Sequence, residues 1–255
     1  YLFFIVFIIL SISSIYILNL NKKIFQFISN YIDYSKAKSF FLTDDICNKE
    51  TLSSYLFFIN TIISLFVCTL VVYFGPFKAN EGILENFTEL IFLIITLIAI
   101  ISISKVNKNQ IPNKIKKKIK FTLSIISILF FYIFGEEISW GQHIFEWESF
   151  GIFSNYNLQQ ETNTHNFLNS YFFIIYPLIG VGLFLCLLLI WFFPKRKSYF
   201  NQLFTPHPSL FFIAFTMAYV TFDGGRTEAY ELLLSIFFLS YIIRIFICLN
   251  SPKKN

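Results

Sequence analysis

Carboxylate and imidazole side chains gather in one stretch of this 255-residue chain, residues 135–166, which read GEEISWGQHIFEWESFGIFSNYNLQQETNTHN. The stretch holds Glu136, Glu137, His143, Glu146, Glu148, Glu161 and His165, and no Lys or Arg. Glu161 and His165 stand four residues apart, which on a helix puts a carboxylate and an imidazole one turn apart on one face. That spacing suits a metal pair, or a His oriented by a carboxylate for general acid–base work. Glu136, Glu137, Glu161 and His165 are therefore the candidate catalytic set. Carboxylates with one or two His, and no Cys, suit a catalytic zinc or a harder ion such as Mn, Mg or Ca. Glu161 and His165 are the first candidate metal ligands.

A second polar stretch, Asp223, Gly224, Gly225, Arg226, Thr227 and Glu228, has Glu231 three residues on. Glu228 is the third candidate ligand, and Arg226 suits a clamp on a substrate phosphate or carboxylate. Ser139, Trp140, Gln142, Asn163 and Asn166 complete the candidate substrate-binding set, within a dense group of amides that includes Asn157, Gln159 and Gln160. Plainer readings stand beside these. Glu136 and Glu137 with Trp140 and Trp147 also fit an interfacial belt. Glu161 and His165 fit loop hydrogen bonding and helix capping, and Glu228 with Glu231 complement a helix N-terminal dipole. No G-x-S-x-G elbow, P-loop or dinucleotide glycine motif is present.

The elements that must position these residues are apolar helices. The chain is 56% hydrophobic, 21% aromatic and 14% charged, with a mean hydropathy of +0.64. Stretches near 20 residues long are almost free of charge, the signature of membrane-spanning helices. With no period-2 or heptad pattern, helices are the only sensible spanning structure. The expectation is an all-α, multi-pass transmembrane bundle of about seven spans in one domain over 1–255. The spans are 1–20, 52–76, 87–104, 121–140 (with an extension to 147), 169–193, 210–222, which is short, and 229–249.

If the fourth helix continues, Glu136, Ser139, Trp140 and His143 share a face. Counting from Lys120, Glu136 and Glu137 lie about 24 Å along that helix, near the edge of a hydrocarbon core about 30 Å thick. Two carboxylates at that depth mark a functional site by default.

Basic and non-basic loops alternate. Lys22, Lys23, Lys36, Lys38 and Lys49 follow span one, and a seven-lysine run from Lys105 to Lys120 follows span three. Lys195, Arg196 and Lys197 follow span five, and Lys253 and Lys254 end the chain. By the positive-inside rule the N-terminus is outside and the C-terminus cytoplasmic. Residues 21–50 then form a cytoplasmic loop, in which Ile24 to Ile32 suit a surface helix. Residues 135–168 form an outer polar loop, on the same side as 223–231. The chain opens on Tyr1 and its only Met is Met217, so the natural start is expected upstream.

The four Cys form no C-x-x-C pair and read as small buried residues. The net charge of +5 sits in short loops and points away from nucleic acid. His207, between two prolines, reads as structural. Arg244, inside the last span, is expected to snorkel to the headgroups.

The pairing of Gly135–Glu136–Glu137–Ile138–Ser139–Trp140–Gly141–Gln142 with Gln159, Glu161, Asn163, His165 and Asn166 resembles a signature of uncharacterised bacterial multi-pass membrane proteins. That pattern carries Arg at the position of His143, which sets His143 aside as a ligand. The resemblance covers about 30 residues closely, implies a bacterial inner-membrane location and brings no established activity. A weaker resemblance is to the seven-helix superfamily of alkaline ceramidases and progestin/adipoQ receptors, which hold zinc through His. The late H-x-x-x-H pair of that superfamily is missing here, so its ligands do not transfer.

The leading expectation is an outward-facing site for metal-assisted hydrolysis or group transfer on a lipid or lipid-linked substrate, with membrane lipid as partner and zinc as the first divalent metal to test. The alternatives are a proton- or cation-coupled transporter and a non-catalytic membrane subunit.

Overall fold

The computed structural model describes residues 33–47, 49, 51–74, 81–107, 111–157, 159–192, 198–221 and 227–250. Side chains are described at these positions except 34, 70–74, 81–84, 143, 169, 227 and 228. The first expected span and the candidate surface helix at Ile24 to Ile32 lie outside the described residues. Contacts divide the chain into two compact units, 1–41 and 42–255. In the first, Asp33 opens helix α1 (Tyr34–Leu42). Its Oδ1 accepts from the Ser35 amide at 3.1 Å, the Ser35 hydroxyl at 2.6 Å and the Lys36 amide at 3.2 Å, satisfying donors that a helix start leaves free.

The described residues of the second unit form the helices α2 (Leu52–Phe74), α3 (Glu81–Val106), α4 (Asn113–Glu137), α5 (Gln142–Phe145), α6 (Ile152–Tyr156), α7 (Phe172–Phe192), α8 (Tyr199–Phe204), α9 (Phe211–Val220) and α10 (Thr227–Asn250). Short 3-10 segments at Ser139–Gly141, His165–Tyr171 and Pro208–Leu210 join some of them. No strand occurs among the described residues. Six segments there are long and apolar enough to cross a membrane: Leu52–Thr69, Glu85–Val106, Asn113–Glu137, Phe172–Phe192, Tyr199–Val220 and Ala229–Asn250. These match the expected second to seventh spans, and the protein is a multi-pass helical membrane protein.

Packing is lengthwise. α3 lies against α4 and α10, and α9 against α2, α7 and α10. The core is apolar, with Ile95, Ala99, Ile119, Leu123 and Ile245 fully buried. Polar side chains inside the helices turn back on their own backbone: Ser64 donates to the Asn60 carbonyl at 2.6 Å and Ser127 to that of Leu123 at 2.8 Å. Away from water such a group needs an internal partner. The Ser240 hydroxyl donates to Asn60 Oδ1 at 3.1 Å, a polar tie between α10 and α2.

The expected short sixth span, 210–222, is seen as α9, and the apolar segment extends back to α8 across an extended stretch around Pro206 and Pro208, because proline carries no amide hydrogen and disfavours helix in the residue before it. One expectation fails. Arg244 does not snorkel. It is 3% exposed and pairs with Asp44, Nε to Oδ2 at 2.6 Å and Nη2 to Oδ1 at 3.2 Å. Its other donors reach the carbonyls of Leu203 at 3.1 Å, Thr205 at 3.2 Å and Gln202 at 3.3 Å. One guanidinium thus satisfies the C-terminal carbonyls of α8, with its charge balanced inside the protein. His207 is structural, as the sequence implies. Its Nδ1 accepts from the Ser209 amide at 3.1 Å and its Nε2 faces the Thr43 carbonyl at 2.8 Å.

Candidate functional site

The site is built at the end of α4, where the helix stops. Continuation to residue 147 fails: Ser139, Trp140 and Gly141 take φ of +47°, +54° and +87° in succession. These left-handed residues turn the chain over the helix end. Gly135 makes the turn fit, since a Cβ there would lie 2.8 Å from the Trp140 ring. Folded back over Gly135, the indole Nε1 donates to Glu136 Oε1 at 2.9 Å. The shared helical face expected for Glu136, Ser139, Trp140 and His143 therefore does not form. The side chain of His143 lies outside the described ones.

Glu136, 5% exposed, is the hub for the returning loop. Its Oε2 accepts from the Thr164 amide at 2.6 Å, the Thr164 hydroxyl at 2.5 Å and the His165 amide at 3.2 Å. A carboxylate from α4 thus caps the 3-10 segment His165–Tyr171 from a distance, satisfying amides at its start. Thr164 also meets the Tyr132 hydroxyl at 2.9 Å, so the loop packs down along the end of α4.

Glu161 is the second hub. Its Oε2 accepts from the Ser139 hydroxyl at 3.0 Å, Asn163 Nδ2 at 2.8 Å and Asn166 Nδ2 at 3.0 Å. Asn163 Nδ2 also donates to Ser139 Oγ at 2.9 Å. Gln142 closes the ring: its Oε1 accepts from the Thr162 amide at 2.7 Å and its Nε2 donates to the Gln160 carbonyl at 3.2 Å. Asn157, 4% exposed, donates to the Glu161 and Asn163 carbonyls at 2.6 and 3.0 Å. Every one of these donors is neutral.

Two groups of the loop are incompletely bonded, the Thr162 hydroxyl, which is buried without a partner, and the titratable one, His165. Its Nδ1 is buried without a hydrogen-bond partner and lies 3.9 Å from Glu136 Oε2. The side chain as a whole is 37% exposed, so the exposure belongs to the rest of the ring, which carries Nε2. Burial pushes the imidazole below its ordinary pKa, and the charges of Glu136 and Glu161 pull it back only in part. At neutral pH it is an uncharged base with a carboxylate at its back. Its ring stacks on Phe172, centroids 6.4 Å apart, and Phe172 stacks in turn on Tyr176 at 4.8 Å. The Tyr176 hydroxyl donates to Glu231 at the start of α10.

The two motifs that the sequence singles out therefore meet. Glu136 bonds Trp140 and the His165 amide, Glu161 bonds Ser139, Asn163 and Asn166, and Gln142 bonds the backbone beside Glu161, all within one folded-back loop, with Glu137 half-buried at the last position of α4. Arg226 and the side chain of Glu228 lie outside the described residues. Among the described residues no three or more His, Cys, Asp or Glu gather as a metal site. Thr164 and Asn157 carry more of the cluster than sequence reasoning gave them. The available signal was a Thr directly before His165, a cap-type residue ahead of a helical turn. Comparison with family models, with curated proteins and with solved structures finds no match.

Proposed function

We propose that the protein is a hydrolase or group transferase acting at the outer face of a bacterial inner membrane on a lipid or lipid-linked substrate, with His165 as general base. The observation that carries this reading is the imidazole itself: uncharged, backed by Glu136 on its Nδ1 side and open on the other. In that tautomer Nδ1 keeps its proton toward Glu136, Nε2 takes one from water, or from an acceptor hydroxyl in a transfer, as that oxygen attacks the substrate, and the imidazolium gives the proton to the leaving oxygen as its bond breaks. Glu136 then stabilises the imidazolium that forms. Ser139 is 1% exposed and bonded to Glu161, so water or the acceptor hydroxyl, rather than Ser139, is the nucleophile. The alternation of basic and non-basic loops supports a site on the outer side, with the N-terminus outside and the C-terminus cytoplasmic. Arg226 would hold a headgroup.

In a metal-dependent form of the same reading, zinc would take Nε2 of His165, with Glu161 and Glu228 as further ligands. Glu136, 3.9 Å from Nδ1, would have to close on it to give the hydrogen bond that metal-bound His usually has. A second reading has its own observation. Glu136 already accepts four hydrogen bonds and Glu161 Oε2 three, which suits a rigid docking loop on a non-catalytic subunit.

The test is the full chain reconstituted in vesicles of total lipid extract, beside His165→Ala, with lipid products followed by mass spectrometry. A released headgroup or transfer product that disappears in His165→Ala, at a matched melting temperature, supports catalysis. Identical lipid profiles from the two sink it and favour docking. Metal content measured on the same samples and on Glu161→Gln separates the forms: zinc near one per chain, lost in both variants, assigns the metal-dependent one.

A further inference from the structure

Residues 144–156 carry an apolar surface that the cluster does not use. Ile144 is 67% exposed, Phe145 76%, Phe150 71%, Ile152 62% and Tyr156 74%. Five large apolar side chains bared within 13 positions are more than a surface facing water ordinarily shows together. The same residues alternate with tight bonding elsewhere in the loop, so their exposure is not general looseness. Phe153, between two of the exposed residues, packs on Phe167 at 5.7 Å.

The position of the loop says what covers this surface. Thr164 bonds to Tyr132, five residues before α4 ends, which is about 7.5 Å back along the helix. The loop is therefore folded against the end of a membrane span. The two spans that the loop joins in sequence present apolar side chains of the same kind near their loop ends: Phe131 at 53% and Tyr132 at 44% on α4, Phe173 at 68% and Ile174 at 54% on α7. Tyr171, between loop and span, is 58% exposed. The exposed side chains of the loop are thus of the same apolar kind as those of the spans it joins. Trp147, Tyr156 and Tyr171 are residue types that favour the interface between headgroups and hydrocarbon. The stretch 135–166 has no Lys or Arg, so its attraction to a bilayer would be apolar.

We propose that residues 144–156 lie in the interfacial layer of the bilayer, with Ile144, Phe145, Phe150, Ile152 and Tyr156 in contact with lipid. The site of His165 then opens beside immersed side chains, and a lipid reaches it sideways, without leaving the membrane. The contact does not depend on the chemistry proposed for His165. Its failure would leave that chemistry standing and remove only the lateral route.

Fluorescence of Phe145→Trp and of Phe150→Trp in full-chain proteoliposomes tests it, each read as the difference from the parent. The added indole should lose about half its emission to lipid brominated near the top of the acyl chain, less to lipid brominated near the chain end, and almost none to aqueous iodide. High salt should leave the lipid quenching unchanged. Quenching by iodide and not by brominated lipid puts the loop in water and overturns the proposal. Quenching by neither means that protein covers the surface, a second copy included, and overturns it equally.

Discussion

His165 and Glu136 face each other with unequal hydrogen bonding. Glu136 has four donors on its two oxygens, whereas His165 keeps a buried Nδ1 with none. A carboxylate so fully engaged is poorly placed to take a proton from substrate, while the imidazole remains available. The expected pH dependence follows. Burial holds the imidazole pKa below its ordinary 6.5, against the raising influence of Glu136 and Glu161. The active base form is fully present above that depressed value and is lost as pH falls through it. The rate should therefore rise through a midpoint below 6.5 and stay level above it. Glu136→Gln removes a raising influence and should move the midpoint lower still. A midpoint at or above 6.5, or an upward move in Glu136→Gln, would contradict His165 as the base.

The turn after α4 shows how an element, rather than a residue, makes the site. Helix propensity alone carries α4 onward, since Ile138 to Trp140 contain no proline and nothing that forbids helix. What stops it is the indole of Trp140 folding over Gly135 to reach Glu136, with Ser139 and Gly141 taking left-handed backbone. Gly135→Ala would put a Cβ 2.8 Å from that ring and force it away. Overpacking of this kind costs about 1–3 kcal/mol, visible as a lower melting temperature. In the double variant with Trp140→Ala the clash has no partner, so the two effects should be clearly less than additive. Additive losses would mean that the ring does not pack there. This is also where sequence reading reached its limit. The six described spans are legible because a run of Phe, Ile and Leu declares itself locally. The two motifs are legible as polar islands between such runs. Their meeting is not, because it depends on three left-handed residues and on Thr164 and Asn157, whose partners are distant in the chain.

At the scale of the molecule, the opposite end from the cluster is held by a charge pair whose partners are 200 residues apart, Asp44 before α2 and Arg244 near the end of α10. Both are nearly inaccessible, at 4% and 3% exposure. Sequence reading sent Arg244 to the headgroups because a lone Arg near a span end has the reach. It had no means of seeing that Asp44 and the carbonyls closing α8 offer it five acceptors inside. The arrangement predicts an asymmetry. Replacing either partner alone leaves a buried charge uncompensated and should cost about 3–5 kcal/mol, while replacing both with apolar residues of similar volume should cost less than either single change. The pH response has a definite sign. Burial raises the pKa of Asp44, but the charge and hydrogen bonds of Arg244, aided by His207 and the Ile46 amide, outweigh it and hold the carboxyl below its ordinary 3.8. A group depressed on folding contributes stability that is complete above its unfolded value and is lost as pH falls through its folded one. In a His165→Ala background, which removes the decline that the depressed imidazole itself causes from about pH 6.5 downward, the detergent-solubilised protein should thus melt at a constant temperature from neutral pH down to about 5, then progressively lower in stronger acid. In Asp44→Asn the melting temperature should start lower, and the acid-dependent part due to this group should vanish. Should the variant keep the full acid response of the parent, the pair does not fasten this end of the bundle.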